Sequence, residues 1–98
     1  MCEVREPLVD LFYEGEQIAV IVELPGVTDA EIQVLINGDV LAIETNGERR
    51  YAKELVLPAP ADPAPLQRSY RNGILELRLR KLSIKIRLLV AGRLSTKS

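Results

Sequence analysis

Apolar and polar residues alternate along several short stretches of this chain. The alternation has a period of two in Leu8 to Tyr13, Ile32 to Ile36, Val40 to Thr45 and Ile74 to Leu79. Such a period indicates β-strands with one face in a core and the other in solvent. Gln17 to Leu24 is apolar on both faces and rich in β-branched residues, as expected of a central strand. The pattern predicts a chain built from β-strands.

Turn-forming residues separate these runs at close spacing. Asn-Gly pairs favour two-residue hairpin turns because both residues tolerate positive φ. We therefore predict a first hairpin, a middle group of three strands that ends with Arg49 to Leu57, and a last hairpin within residues 66–79. The three Asn-Gly pairs that follow apolar runs and predict these turns are Asn37-Gly38, Asn46-Gly47 and Asn72-Gly73.

Two segments interrupt the hairpins and carry the chain between sheets. Pro25-Gly26 stops one strand ladder, because proline cannot donate a hydrogen bond to it. Residues 58–65 contain four prolines and are expected to form a rigid, extended span. We therefore predict an all-β fold, a two-sheet antiparallel β-sandwich of the immunoglobulin-like type with about seven strands. The first and last hairpins share one sheet in this prediction, and the middle three strands form the other.

The composition is that of an ordinary globular domain. The 98 residues are enough for one domain and carry a net charge of −1. The charge is unevenly distributed, because residues 1–50 hold eleven acids and three bases, whereas residues 51–98 hold three acids and ten bases. This asymmetry favours complementary neighbouring strands within one sheet, head-to-tail contact between copies, or an anionic partner.

Residues for catalysis or metal binding are scarce. The chain has no histidine, a single cysteine (Cys2) and no glycine-rich phosphate loop. We therefore expect no enzyme activity, no cofactor and no metal site. The few aromatic residues offer no stacking platform for a nucleic acid, and no apolar run reaches the ~20 residues of a membrane span. Without a signal peptide or a disulfide, a cytoplasmic location is expected.

The last hairpin resembles a known family. Residues 68–75, and above all Asn72, Gly73, Ile74 and Leu75, resemble the closing hairpin of the α-crystallin domain, the core of small heat shock proteins. The resemblance extends over about residues 7–81. It divides the chain into a short lead (1–7), an α-crystallin-like domain (8–81) and a C-terminal tail (82–98). Four other stretches resemble the same domain in the same order: Val9 to Phe12, Glu23 to Val27, Ile32 to Ile43 and Leu55 to Pro58.

The resemblance implies a function. Small heat shock proteins are ATP-independent holdases, which bind unfolding client proteins through apolar grooves at sheet edges and prevent their aggregation. Ile84-Lys85-Ile86 is similar to the tail motif that docks into such a groove on a neighbouring subunit, with Ile84 and Ile86 as the docking side chains. A tail that extends the sheet or is disordered is the alternative. The groove itself is expected to be lined by Ile32, Val34, Ile36, Leu66 and Arg68.

Departures from the family pattern change the expected assembly. The span from Thr45 to Arg50 is too short for the family's strand-swapping loop, and the lead before the first strand is short. We therefore expect a non-swapped homodimer or small oligomer. Arg68 stands where the family carries a small residue, so it narrows the groove, selects acidic clients or extends into solvent. Leu35 breaks the alternation of its strand, so it is either exposed or packed under a loop.

Two other functions fit the same pattern. CS-domain co-chaperones share the sandwich, lack the swapping loop and act as adaptors that bind one specific folded partner. A structural subunit that coats a larger assembly through its basic tail is the third possibility, because residues 78–97 hold seven bases and no acids.

Overall fold

The computed structural model describes residues 3–82. Cys2, Ile84 and Ile86 lie outside these described residues, so the tail-docking interpretation stays a prediction. The structure contains the strands β1 (Val4–Arg5), β2 (Val9–Glu14), β3 (Gln17–Glu23), β4 (Ile32–Asn37), β5 (Val40–Thr45), β6 (Arg50–Val56), β7 (Gln67–Arg71) and β8 (Ile74–Arg80).

The strands form two four-stranded sheets that make a β-sandwich. Sheet I has the order β1-β6-β5-β4, and sheet II has the order β2-β3-β8-β7. All neighbours are antiparallel except β1 and β6, which pair in parallel over two residues. The predicted division of the strands between two sheets is confirmed. The sandwich has eight strands instead of about seven, because Val4–Arg5 adds a short strand to the edge of sheet I.

The core lies between the sheets and is built from the alternating residues. Leu75, Leu77 and Leu79 of β8 are fully buried, as the period of two predicts for one face of that strand. β3 lies between β2 and β8, in agreement with its apolar character on both faces. Other large residues of the core are Ile18, Val20, Val22, Leu24, Leu41, Ile43, Tyr51 and Leu57.

Only one of the three Asn-Gly pairs forms the predicted two-residue turn. Asn72 and Gly73 both have positive φ, 51° and 78°, and join β7 to β8. Asn37 instead pairs with Val40 as the last residue of β4, so the loop is Gly38-Asp39. Glycine then takes the first loop position, where a type II′ turn requires positive φ. The connection between β5 and β6 spans residues 46–49, and neither residue of its Asn-Gly pair has positive φ.

Two tyrosines fix the crossing that follows β3. The Tyr70 hydroxyl lies 2.6 Å from the Leu24 carbonyl oxygen and 2.9 Å from that of Val27, and the Tyr51 hydroxyl donates to the Pro25 carbonyl at 2.9 Å. Tyr51 belongs to sheet I and Tyr70 to sheet II. The corner is therefore bonded to both sheets. The chain then makes a single 3-10 turn, Asp29–Glu31, before it enters β4.

The proline-rich crossing is bonded to both sheets, as a rigid span requires. Ala61 is buried and its N–H donates to the Gly38 carbonyl of sheet I at 3.0 Å. The next residue, Asp62, donates its N–H to the Arg80 carbonyl of sheet II at 2.8 Å. Leu82 donates in turn to the Pro60 carbonyl at 2.9 Å. These bonds hold the crossing and the end of β8 together.

Candidate functional site

The two strands that the sequence assigned to the groove walls are both sheet edges. β4 is the last strand of sheet I, and β7 is the last strand of sheet II. The Arg68 side chain extends from β7 to the start of β4, where it bonds the main chain of Ile32. This side chain joins the two edges at the start of β4. We call the cleft between β4 and the start of β7 the edge groove.

The edge of β4 presents unpaired main-chain groups to the groove. Asn46 donates its N–H to the Glu31 carbonyl at 3.2 Å, so Glu31 faces β5. Main-chain bonding alternates along an antiparallel strand, and the N–H and C=O groups of Ile32, Val34 and Ile36 therefore point away from β5. Among the described residues, nothing pairs with these groups of Val34 and Ile36. Such an edge can accept an added strand.

Both ends of this edge are closed. The Ile32 carbonyl accepts a hydrogen bond from Arg68 at 3.1 Å, and the Ile32 N–H donates to Asp29 in the 3-10 turn. At the other end, the Gly38 carbonyl accepts from the N–H of Ala61. The accessible part of the edge is therefore short and is centred on Val34 and Ile36.

The groove-lining residues differ in exposure. Ile32 and Ile36 are buried and contribute their side chains to the core, so only their main chain faces the edge. Val34 is half-buried. Leu66, which immediately precedes β7, is 52% exposed. The apolar side-chain surface at the groove comes from Val34 and Leu66.

Arg68 closes the groove at the end next to the 3-10 turn. Its Nη2 atom donates to Asp29 Oδ1 at 3.0 Å as well as to the Ile32 carbonyl. The two side chains of this ion pair are 35% and 63% exposed, so solvent screens the attraction. Arg68 thus crosses the groove at this end, and its effect on the choice of clients stays a prediction. No sequence signal identified Asp29 as its partner, because 39 positions separate the two residues.

Exposed apolar residues also occur away from the groove. Leu35 is 69% exposed and lies on the outer face of β4, so it is not packed under a loop. Val56 is equally exposed on β6, and Phe12 is half exposed on β2. Leu35 and Leu66 therefore offer two apolar surfaces that can be tested separately.

The residues of the hairpin motif contribute to the fold. Asn72 and Gly73 form the turn, Ile74 is partly exposed and Leu75 is fully buried. The Gly73 carbonyl accepts the N–H of Leu24 at 2.7 Å. The motif therefore connects the last hairpin to the corner after β3 and lies apart from the edge groove.

Residues 3–82 contain no group of three or more potential metal ligands close together. Within the same part of the chain, no helix has the length and apolar character to cross a membrane.

The fold and the edge groove define the class of the protein, a β-sandwich of the α-crystallin type. No family model matches the chain. Solved structures of small heat shock proteins share its fold. One similar structure, hspA from Xanthomonas axonopodis, is 26% identical with a TM-score of 0.67, and the match covers 83% of this chain and 96% of that one.

Two curated proteins are similar to this chain in sequence. A probable 15 kDa heat shock protein of Leptospira interrogans is 29% identical over 90 positions, and the match covers 76% of this chain and 69% of the relative. The chain is therefore similar to small heat shock proteins in both fold and sequence. Gas vesicle protein H1 of Halobacterium salinarum is 33% identical over 69 residues, which cover 70% of this chain. This chain spans only 37% of the length of the gas vesicle protein.

Proposed function

We propose that this protein is an ATP-independent holdase that binds unfolding client proteins in the edge groove and keeps them from aggregating. A client segment in extended conformation pairs with the free main-chain groups of Val34 and Ile36 and places apolar side chains against Val34 and Leu66. Burial of apolar surface contributes roughly 25 cal/mol per Å² removed from water. Binding requires no covalent step, so we propose no catalysed reaction.

One observation carries this proposal. The edge of β4 has two adjacent outward positions without a partner among the described residues, and the strand that Arg68 joins to it is preceded by the exposed Leu66. Main-chain pairing gives affinity with little dependence on sequence, and neighbouring apolar surface adds to it. That combination suits clients that share only their unfolded state. Similarity to small heat shock proteins supports a chaperone role.

The test is light scattering of a heat-aggregating enzyme, with increasing amounts of this protein and no ATP. We expect wild-type protein to suppress scattering near equimolar ratios. Leu66→Ser is expected to weaken suppression several-fold, because it removes the exposed apolar side chain at the groove. Leu35→Ser is the matched control, since Leu35 is more exposed but lies on the outer face of β4.

The control separates specific from general apolar binding. Equal loss of suppression in both variants would show that clients bind any exposed apolar surface. Failure of the folded wild-type protein to suppress scattering at all would overturn the holdase proposal.

The gas vesicle relative favours a second candidate function. A third of the aligned positions are identical to gas vesicle protein H1. In that function the chain is a structural subunit that coats one large protein assembly, which is the third interpretation that the sequence left open. A protein with that function would float with purified gas vesicles on centrifugation and would not protect unrelated enzymes. The relatives do not favour the adaptor function of CS-domain co-chaperones.

Assembly and location stay predictions. The connection between β5 and β6 has only four residues, 46–49, which supports a non-swapped homodimer or small oligomer. The proposed partners are unfolding proteins. A cytoplasmic location is proposed from the sequence alone.

A further inference from the structure

Arg68 has a position that the proposed function does not yet explain. It lies in β7, on the strand face that turns toward sheet I, and its guanidinium crosses the groove to Asp29 and Ile32. The Ile32 carbonyl is one of the outward groups of the β4 edge. Arg68 therefore occupies an acceptor that an added strand would otherwise use.

The opposite end of the edge is closed in a similar way. Outward positions recur at every second residue, so Gly38 is the next one after Ile36. Its carbonyl accepts from the N–H of buried Ala61 at 3.0 Å. Only the two positions between these closures, Val34 and Ile36, remain without a partner among the described residues.

From this geometry we infer that Arg68 limits the length and fixes the register of the segment that binds in the edge groove. Pairing through Val34 and Ile36 involves about five residues of the bound segment, since outward positions are two residues apart. A longer segment cannot pair with Ile32 while Arg68 occupies that carbonyl. The occupant is a short extended segment of an unfolded protein with apolar side chains at alternate positions. This inference rests on the proposed function, because it concerns the same groove.

The two ends of the edge are not equally easy to open. The closure at Gly38 is a main-chain bond of the proline-rich crossing, and Ala61 beside it is buried. The closure at Ile32 depends on one long side chain, a third of which is exposed. Removing the guanidinium would free the Ile32 carbonyl, whereas the Ile32 N–H would stay bonded to Asp29. The variant would therefore gain one main-chain acceptor.

The experiment compares peptides of two lengths by fluorescence polarisation. The short probe is a labelled, end-blocked five-residue peptide with valine at its second and fourth positions. One long probe adds Thr-Val to its N-terminus, and the other adds Val-Thr to its C-terminus, so that valine stays at alternate positions. In the wild-type protein we expect all probes to bind within about twofold of one another. In Arg68→Met, which keeps an apolar stem, we expect one long probe to bind about three- to tenfold tighter than the short probe.

Arg71→Met is the matched control. Arg71 belongs to the same strand, is exposed and faces the opposite side of sheet II, so its loss removes one positive charge without changing the groove. It is expected to keep the wild-type ratio of affinities. If Arg68→Met does not fold, as judged by thermal unfolding, Arg68→Gln removes the same guanidinium.

Two results would overturn the inference, and they differ in what else they exclude. The role of Arg68 would be contradicted if the wild-type protein already prefers a long probe, or if the Arg68 variant keeps the wild-type ratio of long-probe to short-probe affinity. Neither result would contradict the proposed function. Absence of binding by every probe to every variant would also exclude the groove as the binding site, and with it the proposed function.

Discussion

Single side chains bond one sheet to the other and to the crossing between them. Arg68 of sheet II bonds the start of β4 in sheet I, and Tyr51 of sheet I bonds the corner that follows β3. Tyr70 bonds two carbonyls of the same corner. These contacts join residues far apart in sequence, and they set the geometry of the groove beyond what strand pairing provides.

The Tyr70 hydroxyl is expected to contribute measurably to stability. Tyr70→Phe keeps the ring but leaves the partly buried carbonyls of Leu24 and Val27 without this donor, which should lower the free energy of unfolding by about 1.5 kcal/mol. Urea unfolding followed by circular dichroism measures the change. Tyr13→Phe is the control, because the Tyr13 side chain is exposed, and it should change stability by less than about 0.5 kcal/mol. Equal effects of the two variants would show that Tyr70 does not fix the corner.

At the scale of the elements, the last hairpin is packed against the corner through its turn. Gly73 has a φ of 78°, and a Cβ atom added there would lie 3.2 Å from Pro25 Cα. Both the backbone conformation and the close approach therefore favour glycine. The turn and the corner act as one unit that closes one end of the sandwich.

Two glycine substitutions separate these causes. Gly73→Ala should lower the free energy of unfolding by about 2 kcal/mol, because it combines backbone strain with the approach to Pro25. Gly15→Ala, at a φ of 60° with no atom within 4 Å of the added Cβ, should cost only about 1 kcal/mol. Thermal or urea unfolding measures both. If Gly73→Ala is no more destabilising than Gly15→Ala, the packing of the turn against the corner adds nothing.

The strands and their division between sheets were predictable because they follow from periodicity and from two proline-containing crossings, Pro25-Gly26 and residues 58–65. Burial of Leu75, Leu77 and Leu79 and the central place of β3 follow the same rule. Val4–Arg5 was not predicted as a strand, because two residues show no period and their pairing with β6 depends on the tertiary structure. The turn at Gly38-Asp39 was predicted one residue too early, at Asn37-Gly38. Glycine is accepted at the second central position of a type I′ turn and at the first of a type II′ turn, so the sequence fits both positions.

The site was predictable only in part. The sequence identified the two strands that flank the groove, and the structure shows both as sheet edges. The sequence did not show that the side chains of Ile32 and Ile36 are buried in the core. Side chains on one face of an edge strand can point into the core or line the groove, and the sequence pattern is the same in both cases. The partners of Arg68 depend on contacts between residues 36 and 39 positions apart, which no local pattern encodes.

At the scale of the whole molecule, the uneven charge distribution is used within the fold. Three ion pairs occur in the described part of the chain, and each joins an acid of the first half to a base of the second. They are Glu6 with Lys53, Asp29 with Arg68 and Glu14 with Arg78. The charges are therefore paired within one molecule, but none of these pairs joins neighbouring strands of one sheet, the pairing considered from the sequence; β3, for example, lies between the strands of Glu14 and Arg78. Each pair is partly exposed, so its contribution to stability is small.

The sandwich has a second open edge that serves as an internal reference. β2 is the other end of sheet II, and its pairing with β3 leaves the main chain of Leu11 and Tyr13 pointing outward. That edge carries free amides like those of β4, but in the described residues no side chain of sheet I is hydrogen-bonded across it in the way that Arg68 joins β7 to β4. Binding that depends only on free amides would occur at both edges.

Hydrogen exchange at single residues tests the central claim most directly. The amides of Val34 and Ile36 should exchange fast in the free protein and slow when an unfolded client is added, because the client pairs with them. The amides of Leu11 and Tyr13 should stay fast in both states. Slowing at Val34 and Ile36 alone would support client capture in the edge groove. No change there, or equal slowing at Leu11 and Tyr13, would contradict it.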